Sequence, residues 1–285
     1  MEQIKRAVTI LRQNWIVILP IYLTRLLPAL LSLYIFSEIS EELVNLLSVE
    51  EIGETQYVLE NYEQVTREFF QANREYILAS FFLGVLGLIL NFITVPATFG
   101  MIEEILVKDT EVDLSRVFPN LGRYFGKYLL YRISKLALWI FLFMVSLFLF
   151  VGVGFLGSMV DQGMAVLLVM LLGLGLFLGA VVLHLILKLW FPAMVLEGIG
   201  IFEGLRQAFR KSKICFWPLA LGVLGIRIVS WITNMFVDMV VGDLSYVGPF
   251  LTNAVPAAAT VLLLVLYLLL YQEAKKQMVK EEETG

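Results

Sequence analysis

The sequence is poor in charge and poorer still in the residues that build most reactive centres. Of its 285 residues only 16% are Asp, Glu, Lys or Arg, against roughly a quarter in an ordinary soluble domain. There is one cysteine, Cys215, and one histidine, His184. A lone thiol excludes an internal disulfide framework and a thiolate metal site, and a lone imidazole excludes a multi-histidine centre. No G-x-x-x-x-G-K-[ST] is present, so no nucleotide-driven pump is indicated by that route. G-x-S-x-G, H-E-x-x-H and Cys-x-x-Cys are missing too. Within the apolar stretches Asp238 stands alone, so no carboxylate pair offers an acid and a base there. The chain is expected to be non-enzymatic, with no cofactor and no metal.

What is present is apolar surface. Hydrophobic residues make up 59% of the chain, and the mean hydropathy is +0.84. So little polar surface could not cover so much apolar surface in water. A helix crossing the hydrocarbon core needs about 20 mostly apolar residues. Uncharged stretches of that length run over 77–102, 136–160, 162–187 and 244–272. Two more, 13–37 and 214–237, qualify with one arginine inside each, Arg25 and Arg227. Alternation at period two is absent, which argues against a transmembrane barrel. These runs predict an all-α bundle forming one membrane domain. Its spans lie near 14–36, 77–102, 129–157, 163–192, 214–239 and 247–271. The first apolar run is long and carries no small-x-small site at 33–38, so it reads as a retained span.

Lys and Arg fix the expected orientation. Seventeen of the 21 basic residues lie in the N-terminal segment, between spans 2 and 3, between spans 4 and 5, or in the tail. Those segments share one side of the membrane. The other side holds only Arg67 and Arg74, so both termini are expected in the cytoplasm of a cell-membrane protein. Topology and lipid headgroups account for the basic residues without nucleic acid.

The segment 37–76 carries ten glutamates against two bases. Val58, Tyr62, Val65, Phe69, Ala72 and Tyr76 step by three and four, as do Phe36, Ile39, Leu43 and Leu46. Both series are helical seams. An acidic extracytoplasmic helical hairpin is expected there. It serves either as a solvated projection or as a docking arm for a membrane or extracytoplasmic protein, with a weak divalent-cation site around Glu50, Glu51 and Glu54 as the variant.

A short basic amphipathic segment precedes spans 1, 3 and 5: Ile4/Val8/Leu11, Leu114/Val117/Leu121 and Phe202/Leu205/Phe209, each flanked by Lys or Arg. Such helices lie in the headgroup layer. Pro-Ala recurs in spans 2, 4 and 6 at Pro96, Pro192 and Pro256. The chain therefore parses as three units of interfacial helix plus hairpin, with pseudo-threefold character. Gly175 and Gly179 form a GxxxG in span 4, suited to close packing within the bundle or to a homo-oligomer.

Arg25 has twelve uncharged residues on each side, about 18 Å of helix. An arginine at mid-membrane costs at least about 2.5–3.5 kcal/mol. Arg25 and Arg227 should therefore face the interior, with Arg132 or Lys135 as the shallower counterpart in the second unit. Either they fix helix register on carbonyls or on Asp238, or they hold an anionic lipid or solute, for which a five-donor fork is suited. His184, Asn91, Asn234 and Asp238 are the candidate polar interior. Lys188 is placed to snorkel, with no function attached. Glu103, Glu104 and Glu197 are expected to pair with the basic segments.

At the connection between spans 4 and 5 the chain reads Phe191-Pro192-Ala193-Met194-Val195-Leu196-Glu197-Gly198, then Gly204-Leu205-Arg206-Gln207-Ala208-Phe209-Arg210-Lys211-Ser212. It closes with Tyr267, then Tyr271-Gln272-Glu273-Ala274-Lys275. This resembles the connector and last exit of a group of six-span prokaryotic membrane proteins. That group includes the membrane domain of glycerophosphoryl diester phosphodiesterases and related uncharacterised families. The resemblance implies the six-span fold and a membrane location. The long acidic segment departs from that pattern, and the phosphodiesterase domain's catalytic residues have no counterpart here. Two functions follow as expectations. One is binding or moving an anionic lipid or solute through an arginine-containing interior. The other is a structural or regulatory partner that docks through the hairpin or the interfacial helices.

Overall fold

The structure, a computed structural model, describes residues 2–36, 74–108, 112–158, 162–241 and 247–284. The expected acidic hairpin at 37–76 therefore lies almost wholly outside the described residues. Among those described, every regular element is helical. In order they are α1 (Glu2–Gln13), a 3₁₀ turn (Trp15–Ile18), α2 (Leu19–Phe36), α3 (Arg74–Lys108), a 3₁₀ turn (Leu114–Arg116), α4 (Val117–Ser158), α5 (Gln162–Ile186), α6 (Trp190–Leu196), α7 (Ile201–Val241) and α8 (Gly248–Thr284). Six helices are long and apolar enough to span a membrane.

The interfacial segments differ from the expectation in two of three cases. Only α1 is a separate helix, set off from α2 by its 3₁₀ turn. The other two segments run straight into their spans. At 42 residues α4 measures about 63 Å, twice the roughly 30 Å hydrocarbon core. Pro119 does not break this copy, because it lies in the first turn of α4, where a missing N–H costs nothing. Asp113 starts that region by accepting from the Ser115 amide at 3.1 Å.

Span 4 is also not continuous over 163–192. α5 stops at Ile186, and its ladder tightens to three-residue bonds, Lys188 to Leu185 at 3.1 Å and Leu189 to Ile186 at 3.0 Å. Pro192 explains the break. It has no N–H for the Lys188 carbonyl, and its ring would strike that carbonyl in a regular helix.

Neighbouring spans close a ring: α2 packs on α3, α3 on α4, α4 on α5, α5 on α7, α7 on α8, and α8 back on α2. Six crossings put both termini at one end, here the basal end; the other is distal. The core is basal. From Leu263 to Leu270 every residue of α8 is buried, against Phe99, Met101, Tyr128, Phe191 and Met194 among others. Close approach at Gly222 seats α7 on α8, where an added Cβ would stand 2.6 Å from Leu266. Gly175 and Gly179 do not pack within the bundle, since a Cβ on either would meet nothing within 4 Å.

Polar clasps tie the basal end. Glu103 on α3 accepts from Arg123 at 3.3 Å and from the Tyr124 hydroxyl, both on α4, and Glu104 accepts from Asn120 at 3.3 Å. Glu197, just after α6, accepts from Lys211 on α7 and lies 3.9 Å from Lys275 on α8. Glu273 on α8 accepts from Gln3 on α1. Lys211 also donates to the Tyr271 hydroxyl at 2.7 Å. Burial of Glu197 disfavours its charge. Hydrogen bonds from Lys211 and Tyr271 and the nearby ammoniums outweigh that and hold the carboxyl below its ordinary value.

Candidate functional site

Just distal to the packed floor, cations converge from four spans. Arg25 on α2 donates from Nη2 to the Thr260 hydroxyl of α8 at 3.1 Å, and that hydroxyl donates onward to the Pro256 carbonyl at 2.7 Å. Arg227 on α7 lies within electrostatic reach of Arg25, His184, Lys188 and the Tyr267 phenol. Lys188, in the tightened turn after α5, also repels Arg132 and Lys135 of α4.

Aromatic rings hold the α4 cations. The Arg132 guanidinium sits 5.3 Å from the Tyr128 ring centre and 5.7 Å from that of Phe92. Lys135 donates to the Tyr131 hydroxyl at 3.2 Å and lies 5.5 Å from the centre of its ring. Those rings belong to one stack: Tyr128 and Tyr131 contact Phe191 at 5.1 and 5.5 Å, and Tyr131 meets Trp190 edge-on at 5.5 Å. Tyr131 in turn donates to the Leu187 carbonyl at 3.4 Å, next to the helix break that carries Lys188. Rigid aromatic packing thus sets where the Arg132, Lys135 and Lys188 chains begin.

In the ring α8 stands between α2 and α7, and α5 stands between α4 and α7. Of the cation pairs within reach among the described residues, Arg25 and Arg227 alone come from spans with another span between them. Arg132, His184 and Arg227 are exposed, and Arg25, Lys135 and Lys188 are half-buried. Among the described residues no carboxylate pairs with Arg25, Arg132, Lys135, Lys188 or Arg227.

Of the four candidate cations, Arg25 lies within reach of Arg227, and Arg132 within reach of Lys135. Lys188 joins them, although snorkelling was the sequence expectation for it. Its depth suited either role, and the break before Pro192 leaves it within reach of Arg132 and Arg227. The polar candidates divide. His184 borders the cluster, with its ring 6.3 Å from Trp139, but it is exposed rather than buried. Asn91 is exposed as well and bonds back to the Gly87 carbonyl at 2.9 Å, so it makes no bond between helices. Asn234 is half-buried with its Oδ1 unpartnered. Asp238 is exposed on α7, about 16 Å of helix beyond Arg227, and makes no ion pair among the described residues.

Chemically the site offers hydrogen-bond donors and positive charge to an anion. It places no carboxylate acid or base beside them, and no group of three or more His, Cys, Asp or Glu gathers among the described residues. Comparison of the chain with protein-family models, with curated proteins and with solved structures finds no match.

Proposed function

We propose that this is a non-enzymatic protein of the cell membrane, with both termini cytoplasmic, that binds an anionic lipid or solute in its ring interior and carries it across. One observation supports the reading: five cations from four spans, each within electrostatic reach of at least one other, pair with no carboxylate among the described residues. Like charges gathered in a partly desolvated space repel strongly, and an anion relieves that repulsion. The bias of Lys and Arg toward the terminal side supports the orientation. The resemblance at Pro192–Glu197 and the following basic segment supports kinship with six-span prokaryotic membrane proteins. A threefold repeat is favoured by the basal clasps, since Glu103, Glu197 and Glu273 each close onto the basic segment of the next unit, the last returning to α1.

The scaffold reading, in which guanidiniums fix helix register on main-chain carbonyls, gains no such contact. Arg25 bonds a hydroxyl, and Arg227 bonds no carbonyl among the described residues. Native mass spectrometry of the purified protein tests the proposal. We expect retained anionic lipid or solute in the wild type and its loss in an Arg25→Gln, Arg227→Gln double variant. Equal retention in a folded double variant would refute the proposal.

A further inference from the structure

We infer that a pocket at the basal end of the ring, between α1, α3, α6 and α8, binds the headgroup of an anionic phospholipid from the leaflet on that side. This is a second site, and it does not rest on the interior reading. The cavity measures about 700 Å³, and its lining brings together Arg6 of α1 and Lys275, Lys276 and Lys280 of α8. Among the described residues no carboxylate lines it. Arg6 and Lys276 make no ion pair among the described residues. Lys275 stands 3.9 Å from Glu197, an acid that Lys211 already engages.

Charge alone would admit any anion, and the walls narrow the choice. Val107 of α3, Leu196 of α6 and Val279 of α8 make them apolar. A hydrated phosphate gains nothing from such walls, whereas the glycerol and first methylenes of a lipid bury area against them. Size agrees, since sites of roughly 300–1,000 Å³ hold molecules much larger than a bare phosphate. Depth agrees as well. Val107 lies next to the last residue of α3, Leu196 is the last of α6, and the lysines follow the buried run of α8. Apolar helix gives way to charge at that level, as it does at the phosphate layer of a bilayer. Basic pockets between spans at that boundary suit anionic headgroups. The four cations are exposed, which lets their stems cover the apolar walls while their tips reach the phosphate layer. Tyr271 at the floor is buried, and its hydroxyl is held by Lys211 at 2.7 Å, so that part of the pocket is formed before a lipid arrives.

The test reads this site alone. The full chain is placed in phosphatidylcholine nanodiscs holding a trace of phosphatidylglycerol with a diazirine early in one acyl chain. Light marks the residues beside the bound lipid, and mass spectrometry of the fragments locates them. The inference expects marking of the α3 end around Val107 or of the α8 segment around Val279. That marking should exceed the one from a matched phosphatidylcholine probe by at least about fivefold. An Arg6→Gln, Lys276→Gln double variant should weaken it about fivefold for each charge removed. A Lys276→Gln, Lys280→Gln variant, confined to the exposed end of α8, serves if the first disturbs α1. No marking of either segment, equal marking by the two probes, or unchanged marking in a folded variant would overturn the proposal. Displacement of the label by millimolar glycerol phosphate would make the occupant a solute and overturn the lipid assignment. The Arg25→Gln, Arg227→Gln variant should keep the marking, and loss there would overturn a separate basal site.

Discussion

The basal and distal halves of this protein use equally oily sequence to opposite ends. In α8 the most apolar window is 61% buried, whereas in α5, the more apolar helix, none of it is. α4 is split along its own length: Tyr124, Tyr128 and Tyr131 are buried at the basal end, and beyond them, among the described residues, only Gly157 against Ala165 of α5 is buried. Hydropathy therefore reports that a segment can live in lipid and says nothing of what it touches. Lipid solvates leucine as well as another leucine does. Contact between helices then follows from features other than oiliness. In the basal half these are close approach at Gly100, Gly204 and Gly222, the proline-broken turn before α6, and the carboxylate clasps. The distal halves of α4 and α5 have few such features beyond the approach of Gly157 to Ala165.

That contrast can be tested by removing what makes the basal half special. Lys211 is 4% exposed and joins Glu197, itself only 15% exposed, to Tyr271. Lys211→Ala strands a mostly buried carboxylate and should cost about 3 kcal/mol, read as a lowered thermal midpoint in detergent. Lys135→Ala near the distal boundary breaks only its bond to the Tyr131 hydroxyl and strands no carboxylate, so its midpoint should fall by less. Next in size is Gly100→Ala. The added methyl would stand 2.6 Å from the Cβ of Asn120, itself buried and bonded to Glu104, for a loss of about 1–3 kcal/mol.

Acid should act on the basal half through Glu197. Its carboxyl is held below its ordinary value in the folded chain, so its contribution is complete above the unfolded value of about 4.3. That contribution drains away as pH falls through the folded value. Between about pH 5 and pH 3 the wild type should lose more stability than Glu197→Gln, measured as the shift in thermal midpoint across that window. The smallest effect belongs to the distal surface. Gly179→Ala adds a methyl to open space and removes backbone freedom, and should stabilise by about 0.5–1 kcal/mol. A loss there instead would mean that α5 is covered by another chain.

How much of this was legible in the sequence depends on which coordinate is asked for. Depth was legible: the apolar runs give six spans, and Arg25 and Arg227 stand out because charge is expensive there. The partners of Glu103 and Glu197 were legible as a class, since carboxylates next to basic segments have few other places to go. Azimuth was not. Whether Lys188 snorkels or turns inward depends on a few tens of degrees of rotation, set by a break three to four residues before Pro192 that periodicity over 163–192 does not register. His184 and Asn91 fit the interior by depth alone, yet both are exposed. The fusion of basic segments to α4 and α7 was hidden for a related reason. An amphipathic stretch and an apolar stretch are both good helix, and nothing in their composition says whether a turn separates them.

Glu273 reaching Gln3 means that the last helix holds the first one in place, so the order in which the chain runs round the ring is incidental to the finished object. A circularly permuted gene that opens the chain at the exposed linker around Gly200 and joins the old ends should still assemble the same barrel-like enclosure. A clipped tail, by contrast, should loosen the N-terminal helix at the far end of the gene.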